Sequence, residues 1–187
     1  MGFVLCDDAT GVGNKDDFVA RLLSDVVTLG ICPSLPSQRK ELLPVSYAVS
    51  ALMAISLSPS SLGRAYHITP DVDETPPMDM DDVFHSVERI TGRHITCLPY
   101  KEWADRLQEQ NQETATRLNP LLPVIYETIL ENKTRWEVYE NMARFRNDNV
   151  RAVLAKANQS CLLSRSGLTE AVLRRYLKFL GIEGLEN

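Results

Sequence analysis

Phe3-Val4-Leu5-Cys6, then Asp7-Asp8-Ala9-Thr10-Gly11-Val12-Gly13-Asn14, then Lys15 to Leu29 closed by Gly30 and Pro33: this stretch decides the fold. A short apolar run, a polar glycine-containing turn and an amphipathic segment predict strand, loop and helix in that order. In the helical part Phe18, Leu22, Val26 and Leu29 form one row and Val19, Leu23 and Val27 the adjacent one, a wide apolar stripe at helical spacing. Asn14 is placed to cap, Asp16 and Asp17 suit the first turn, and Gly30 suits the position after the last. A loop between strand and helix is where a binding site usually forms.

Further along the chain, residues 31–41 carry two prolines and read as a loop. Leu42-Leu43-Pro44-Val45 reads as a short extended piece ended by its proline. Ser46 is expected to cap a second helix that buries Val49, Leu52, Met53 and Leu57. Ala65-Tyr66-His67-Ile68 reads as a short buried strand, and 70–78 as an acidic, proline-rich loop. Asp79 or Asp81 opens a third helix through Ile90, ended by Gly92. His94 to Leu98 predicts another strand, and Pro99-Tyr100 leads into a helix bearing Trp103 and Leu107. This alternation points to an α/β fold. After Gln108 the pattern becomes helical, over Leu121–Leu130, Glu137–Phe145, Asn149–Ala157 and Thr169–Leu180. The expected organisation is therefore a strand-and-helix part over 1–107 and a helical lobe over 108–187, predominantly helical with few short strands.

Composition narrows the function classes. With 187 residues, 44% of them hydrophobic and 24% charged, the chain can bury a core. A net charge of −5 without a basic stripe argues against nucleic acid. No apolar run approaches the ~18 residues of a membrane span, and no signal peptide opens the chain, so the expected location is the cytoplasm. The four cysteines are far apart in sequence, without a Cys-x-x-Cys pair, and read as buried thiols of a reducing compartment.

Searches for chemistry end in exclusions. Gly11-x-Gly13 lacks a third glycine, because Asp16 stands in its place and would repel a pyrophosphate. His67, His85 and His94 stand on separate elements without a ligand at i+3 or i+4, so no metal site is expected. There is no Gly-x-Ser-x-Gly elbow, and the acids of 71–82 lack the spacing of a calcium loop. The residues four after the six tyrosines are Ala51, Pro70, Ala104, Leu130, Ala143 and Leu180, so the Tyr-x-x-x-Lys pair of short-chain reductases is absent too. No catalytic residue is assigned.

The succession Thr10-Gly11-Val12-Gly13-Asn14-Lys15-Asp16-Asp17-Phe18, Leu29-Gly30, Pro33 and Leu43-Pro44-Val45-Ser46-Tyr47-Ala48 resembles the latter half of terminal thioester reductase domains. Tyr66-His67-Ile68-Thr69 and Leu98-Pro99-Tyr100-Lys101-Glu102-Trp103 continue the resemblance in the same order. Such domains end non-ribosomal peptide synthetases, hybrid polyketide–peptide synthetases and related carboxylic acid reductases. The resemblance implies an extended short-chain dehydrogenase/reductase. Its N-terminal Rossmann half would bind NADPH and carry the catalytic Ser/Thr, Tyr and Lys. Its smaller C-terminal half would close over a thioester on the phosphopantetheine arm of a carrier protein. This chain would be that C-terminal, substrate-binding part, starting at Met1 within a longer synthetase, inactive alone and without tight NADPH binding. Asn14, Asp17, Phe18, Pro44, Val45 and Tyr47 would line the substrate cleft. An apolar face left by the missing half should favour self-association. Some fungal relatives with this fold release a tetramic acid by Dieckmann cyclisation, and the residues separating the two outcomes lie mostly upstream. The alternatives from other classes are a freestanding helical protein-binding module and a small intact enzyme.

Overall fold

The computed structural model describes residues 2–113, 116–138 and 145–182. In chain order the elements begin with β1 (Phe3–Val4), α1 (Phe18–Leu29), β2 (Ile31–Pro33), β3 (Leu42–Leu43) and α2 (Val45–Ser56). They continue with α3 (Met80–Thr91), β4 (Thr96–Leu98), α4 (Tyr100–Glu113), α5 (Leu122–Tyr126), β5 (Thr128–Leu130) and β6 (Lys133–Thr134). The last are α6 (Arg135–Val138), α7 (Asp148–Lys156) and α8 (Glu170–Phe179). Helix dominates and the strands are short, as an α/β fold of predominantly helical character requires. These elements form two compact units interleaved along the sequence, one from segments 1–13, 40–78 and 143–179, the other from 14–39, 79–142 and 180–187.

In the first unit β1 pairs in parallel with β3, Phe3 opposite Leu42 and Val4 opposite Leu43. Leu43, Tyr47, Ala48, Ala51, Val150 and Leu154 form a fully buried cluster where α7 packs on α2. The buried face of α2 is therefore Tyr47, Ala48 and Ala51. The expected row is on the outside: Val49, Leu52 and Met53 are 52, 48 and 52% exposed and Leu57 73%. Both faces of α2 are apolar, so its sequence does not choose between them. The small Ala48 and Ala51 let α7 approach closely, and that packing decides the orientation. Nor does Ser46 cap this helix. Pro44 stands at the cap without a side-chain hydrogen bond, while the Ser46 hydroxyl donates to Asp8 Oδ1. Residues 64–69 form no regular strand, although Gly2 donates to the Ile68 carbonyl at 3.2 Å.

A charged knot closes this unit. Asp71, with no side-chain exposure, accepts from Arg151 at both oxygens and from Asn147 Nδ2 at 3.2 Å. The backbone amides of Asp73 and Glu74 also reach Asp71 Oδ1, each at 3.1 Å. Ser166 Oγ accepts from the Asp71 amide at 2.7 Å. The arginine hydrogen bonds outweigh burial and hold the Asp71 carboxyl down at about 2.

In the second unit α1 packs against α3. Asp17, not Asn14, is its N-cap, accepting from the Ala20 amide at 2.7 Å, and Gly30 ends it in the left-handed region at φ 68°. The Asn14 side chain instead accepts from the Asp16 amide at 2.9 Å. Residues 31–33, read from sequence as loop, form β2, which pairs in parallel with β4 over Ile31–Thr96, Cys32–Cys97 and Pro33–Leu98. Asp79 caps α3, whereas Asp81 accepts from the Leu35 amide at 2.8 Å. The helix expected over 121–130 stops at Tyr126. Thr128–Leu130 then turns back on Lys133–Thr134 through Glu131 and Asn132, both at positive φ. Most of the helix expected over 137–145 lies outside the described residues.

Candidate functional site

The loop after β1 is shaped by its own carboxylates. Asp7 Oδ1 accepts from the amides of Ala9 (3.1 Å) and Thr10 (2.8 Å) and from the Thr10 hydroxyl (2.8 Å). The Asp7 amide donates to Val12 O and the Gly11 amide to Asp7 O, and Cys6 bridges Gly13. The Thr10 hydroxyl bond, above all, holds the Asp7 carboxyl below its usual range. The amides with which such a turn would grip a phosphate are thus already taken by an anion of the chain itself.

Asp8 fastens the loop to the rest of its unit. Burial, which would raise this carboxyl, is outweighed by the Ser46 hydroxyl and by Arg165, whose Nε donates at 2.6 Å, so it stays below the ordinary value. Arg175 adds a bond to the Asp8 carbonyl at 3.1 Å. Gly11 sits at φ 75°, and a β-carbon there would lie 2.4 Å from the carbonyl oxygen of Arg175 on α8. The Gly11→Ala variant is accordingly expected to lose about 2 kcal/mol or more, combining left-handed strain with a backbone clash. Urea unfolding followed by circular dichroism checks this; an unchanged midpoint would contradict it.

The six residues expected at a substrate cleft all lie at helix starts, three in each unit. Asn14 and Asp17 make the turn and cap of α1, and Phe18 stacks on Trp136 with ring centroids 4.5 Å apart. Pro44 and Val45 open α2. Tyr47 is a core residue, 1% exposed, whose hydroxyl donates to the Thr69 carbonyl at 3.3 Å. Burial pushes its phenol up to about 12, out of range for proton transfer near neutral pH.

Among the described residues each unit carries a surface depression. A shallow pocket of about 460 Å³ is lined by Ser34, Leu35, Pro36, Cys97, Pro99, Tyr100 and Glu137. Its floor is held by Tyr100, whose hydroxyl donates to the Ile125 carbonyl at 2.9 Å. The other, of about 330 Å³, lies among Ala65, His67, Phe145, Arg146, Asp148 and Asn149. No group of three or more metal-ligating side chains exists among the described residues, and no helix among them is long and apolar enough to cross a membrane.

One structural residue of the second unit is not legible in the sequence. Asp25, buried in α1, accepts from the amides of Arg117 (3.0 Å) and Leu118 (2.7 Å). Burial raises its carboxyl even against those bonds. The only sequence signal for it is its place between Ser24 and Val26 on the buried stripe. The cysteines depart in part from the expectation of buried thiols, which rests on the apolar or strand-like surroundings of three of them. Cys6 and Cys32 are buried, but Cys97 and Cys161 are exposed.

No protein-family model matches the chain. It is 37% identical over 179 residues, 96% of its length, to a non-canonical nonribosomal peptide synthetase of Aspergillus hancockii. To another such synthetase, from a Cladobotryum species, it is 38% identical over 183 residues, or 98%. A protein named aldehyde reductase in Aspergillus flavus is 32% identical over 97% of the chain. The chain spans only 17% of the length of each of these relatives. Its fold covers 98% of the chain and 44% of the terminal R domain from the myxalamid PKS-NRPS pathway, with a TM-score of 0.77 at 23% identity. It also covers 46% of the PhqB reductase domain of Penicillium fellutanum, with a TM-score of 0.59 at 15% identity. Along nearly its whole length the chain is thus similar to nonribosomal peptide synthetases, and it has the fold of less than half of a terminal reductase domain.

Proposed function

We propose that this chain is the C-terminal, substrate-binding part of a synthetase release domain. That domain would act on an acyl or peptidyl thioester carried on the phosphopantetheine arm of a carrier protein. The observation that carries the reading is the match to a terminal R domain over 98% of this chain but 44% of that one. The remaining half of the fold would bring NADPH and the Ser/Thr, Tyr and Lys that this sequence lacks. The loop of residues 7–14 does not fit a pyrophosphate, since Asp7 occupies its amides, so no redox step is assigned to this chain's residues. Within the domain, 1–107 would continue the cofactor half and 108–187 would supply the substrate lobe. Of the residues proposed to line a substrate cleft, Asn14, Asp17, Phe18, Pro44 and Val45 stand at helix starts, whereas the buried Tyr47 would act only by supporting the start of α2, and the cytoplasm is the expected compartment of such a synthetase.

Reductive release is favoured over Dieckmann cyclisation because a relative aligned over 97% of this chain bears the name aldehyde reductase. A freestanding binding module accords less well with similarity to proteins about six times longer. The apolar face of α2 is the physical counterpart of the partial match. A helix apolar all round belongs in an interior, and each of Val49, Leu52 and Met53 would gain roughly 1 kcal/mol on being covered by the companion half.

The coding sequence upstream of Met1 tests the reading. A glycine-rich strand–turn–helix and a Tyr-x-x-x-Lys pair are expected there, and a stop codon followed directly by an untranslated leader would overturn it. The domain completed with that sequence should consume NADPH and release an aldehyde from a pantetheine thioester. A tetramic acid released without NADPH consumption would move the assignment to cyclisation.

A further inference from the structure

Cys32 and Cys97 are in-register partners on the parallel strands β2 and β4. Adjacent strands lie about 4.8 Å apart, so in-register α-carbons fall inside the range a disulfide spans, and in-register side chains leave the ladder on the same face. The two Sγ atoms are already 2.7 Å apart. Their environments differ: Cys32 is completely buried and Cys97 is exposed, on the wall of the pocket that also includes Pro99 and Tyr100. An exposed cysteine whose sulfur touches that of a buried one is the arrangement of an attacking thiol beside its resolving partner.

We infer that Cys32 and Cys97 form a redox-active dithiol, which low-molecular-weight disulfides convert to a cross-strand disulfide joining β2 to β4. In the first step the Cys97 thiolate attacks one sulfur of glutathione disulfide, whose S–S bond breaks, and one glutathione thiolate leaves. In the second, the Cys32 sulfur gives up its proton to that thiolate and attacks Cys97 Sγ. The mixed disulfide breaks and the second glutathione departs. Two protein thiols are oxidised and one glutathione disulfide is reduced to two thiols. Burial pushes the Cys32 thiol up, which makes Cys97 the entering nucleophile and Cys32 the resolving group. Oxidation draws Cys97 Sγ onto its neighbour and so alters the pocket wall. It also closes a loop across 65 positions of sequence, and the oxidised chain is expected to melt several degrees higher.

The test uses the whole chain carrying Cys161→Ser, which removes the other exposed thiol. After treatment with glutathione disulfide, intact mass should fall by about two units, and peptide mapping should join Cys32 to Cys97. Dithiothreitol should reverse the change. Adding Cys32→Ser should leave a stable glutathione adduct on Cys97, and adding Cys97→Ser should abolish the reaction at both positions. A persistent glutathione adduct on Cys97 with Cys32 intact, or no reaction of either thiol, would overturn the inference. Because Cys97 lies at the surface, its variant remains informative if Cys32→Ser fails to fold.

Discussion

Asp71→Ala is expected to cost the chain about 3 kcal/mol or more of folding free energy. The carboxylate has no exposure and satisfies Arg151, Asn147 and two backbone amides at once. Removing it leaves a guanidinium two-thirds buried and partly stripped of partners, the circumstance in which breaking an ion pair costs most. Asp73, itself largely exposed, reaches the same guanidinium at 2.7 Å and recovers only part of the loss. Asp71→Asn, which keeps the shape and one acceptor, should cost less. The pH dependence has a defined sign. The folded carboxyl is lowered from 3.8 to about 2, so its contribution is fully present above the unfolded value and disappears as pH falls through about 2. The amount lost is about 2 kcal/mol. Urea unfolding at neutral pH and near pH 2 reads both effects. A variant as stable as the parent at neutral pH would show that the knot is ornamental to the fold.

The second large effect separates the two faces of α2. Ala51→Glu places a carboxylate at a position without solvent access, between Tyr47 and the side chains of α7, with no cation among the cluster that surrounds it. The cost of an unpaired buried charge together with overpacking exceeds about 4 kcal/mol, so the chain should fail to show cooperative unfolding. Leu52→Glu, one position on, points to the exposed side and should change stability by less than about 0.5 kcal/mol. Combined with Met53→Glu it should also shift the chain toward monomer in light scattering, because exposed apolar patches drive association. If Leu52→Glu unfolded the protein and Ala51→Glu did not, α2 would have to bury its Leu52 face instead, and the packing of α7 on Ala48 and Ala51 would be wrong.

That helix also marks where sequence reading reached its limit. α1, α3 and α8 are legible because each carries a single apolar stripe with marked ends, such as Asp17 and Gly30 for α1 or Asp79 and Gly92 for α3. α2 is legible as a helix but not as an orientation, since Val49, Leu52 and Met53 are more hydrophobic than the Ala48 and Ala51 that are buried. Close approach of α7, a long-range event, chose the smaller residues. β2 was hidden by the prolines on either side of Ser34-Leu35, although Pro33 is tolerated at the end of a short strand. The turn at Glu131-Asn132 lacks the glycine that usually announces a hairpin. At the site level, the failure of Asp7 to Asn14 as a phosphate loop was legible in its missing glycine, whereas the capture of its amides by Asp7 was not. The Cys32–Cys97 contact could not be read at all, because 65 positions separate the two and only strand register brings them together.

Under the proposed function these residues form the substrate side of a reductase domain whose cofactor side lies outside them. Calorimetric titration of the folded 187-residue chain with NADPH tests it most directly. No saturable heat is expected at micromolar concentrations of cofactor. Stoichiometric binding with a sub-micromolar Kd would contradict the claim, for it would mean that these residues build a cofactor site of their own.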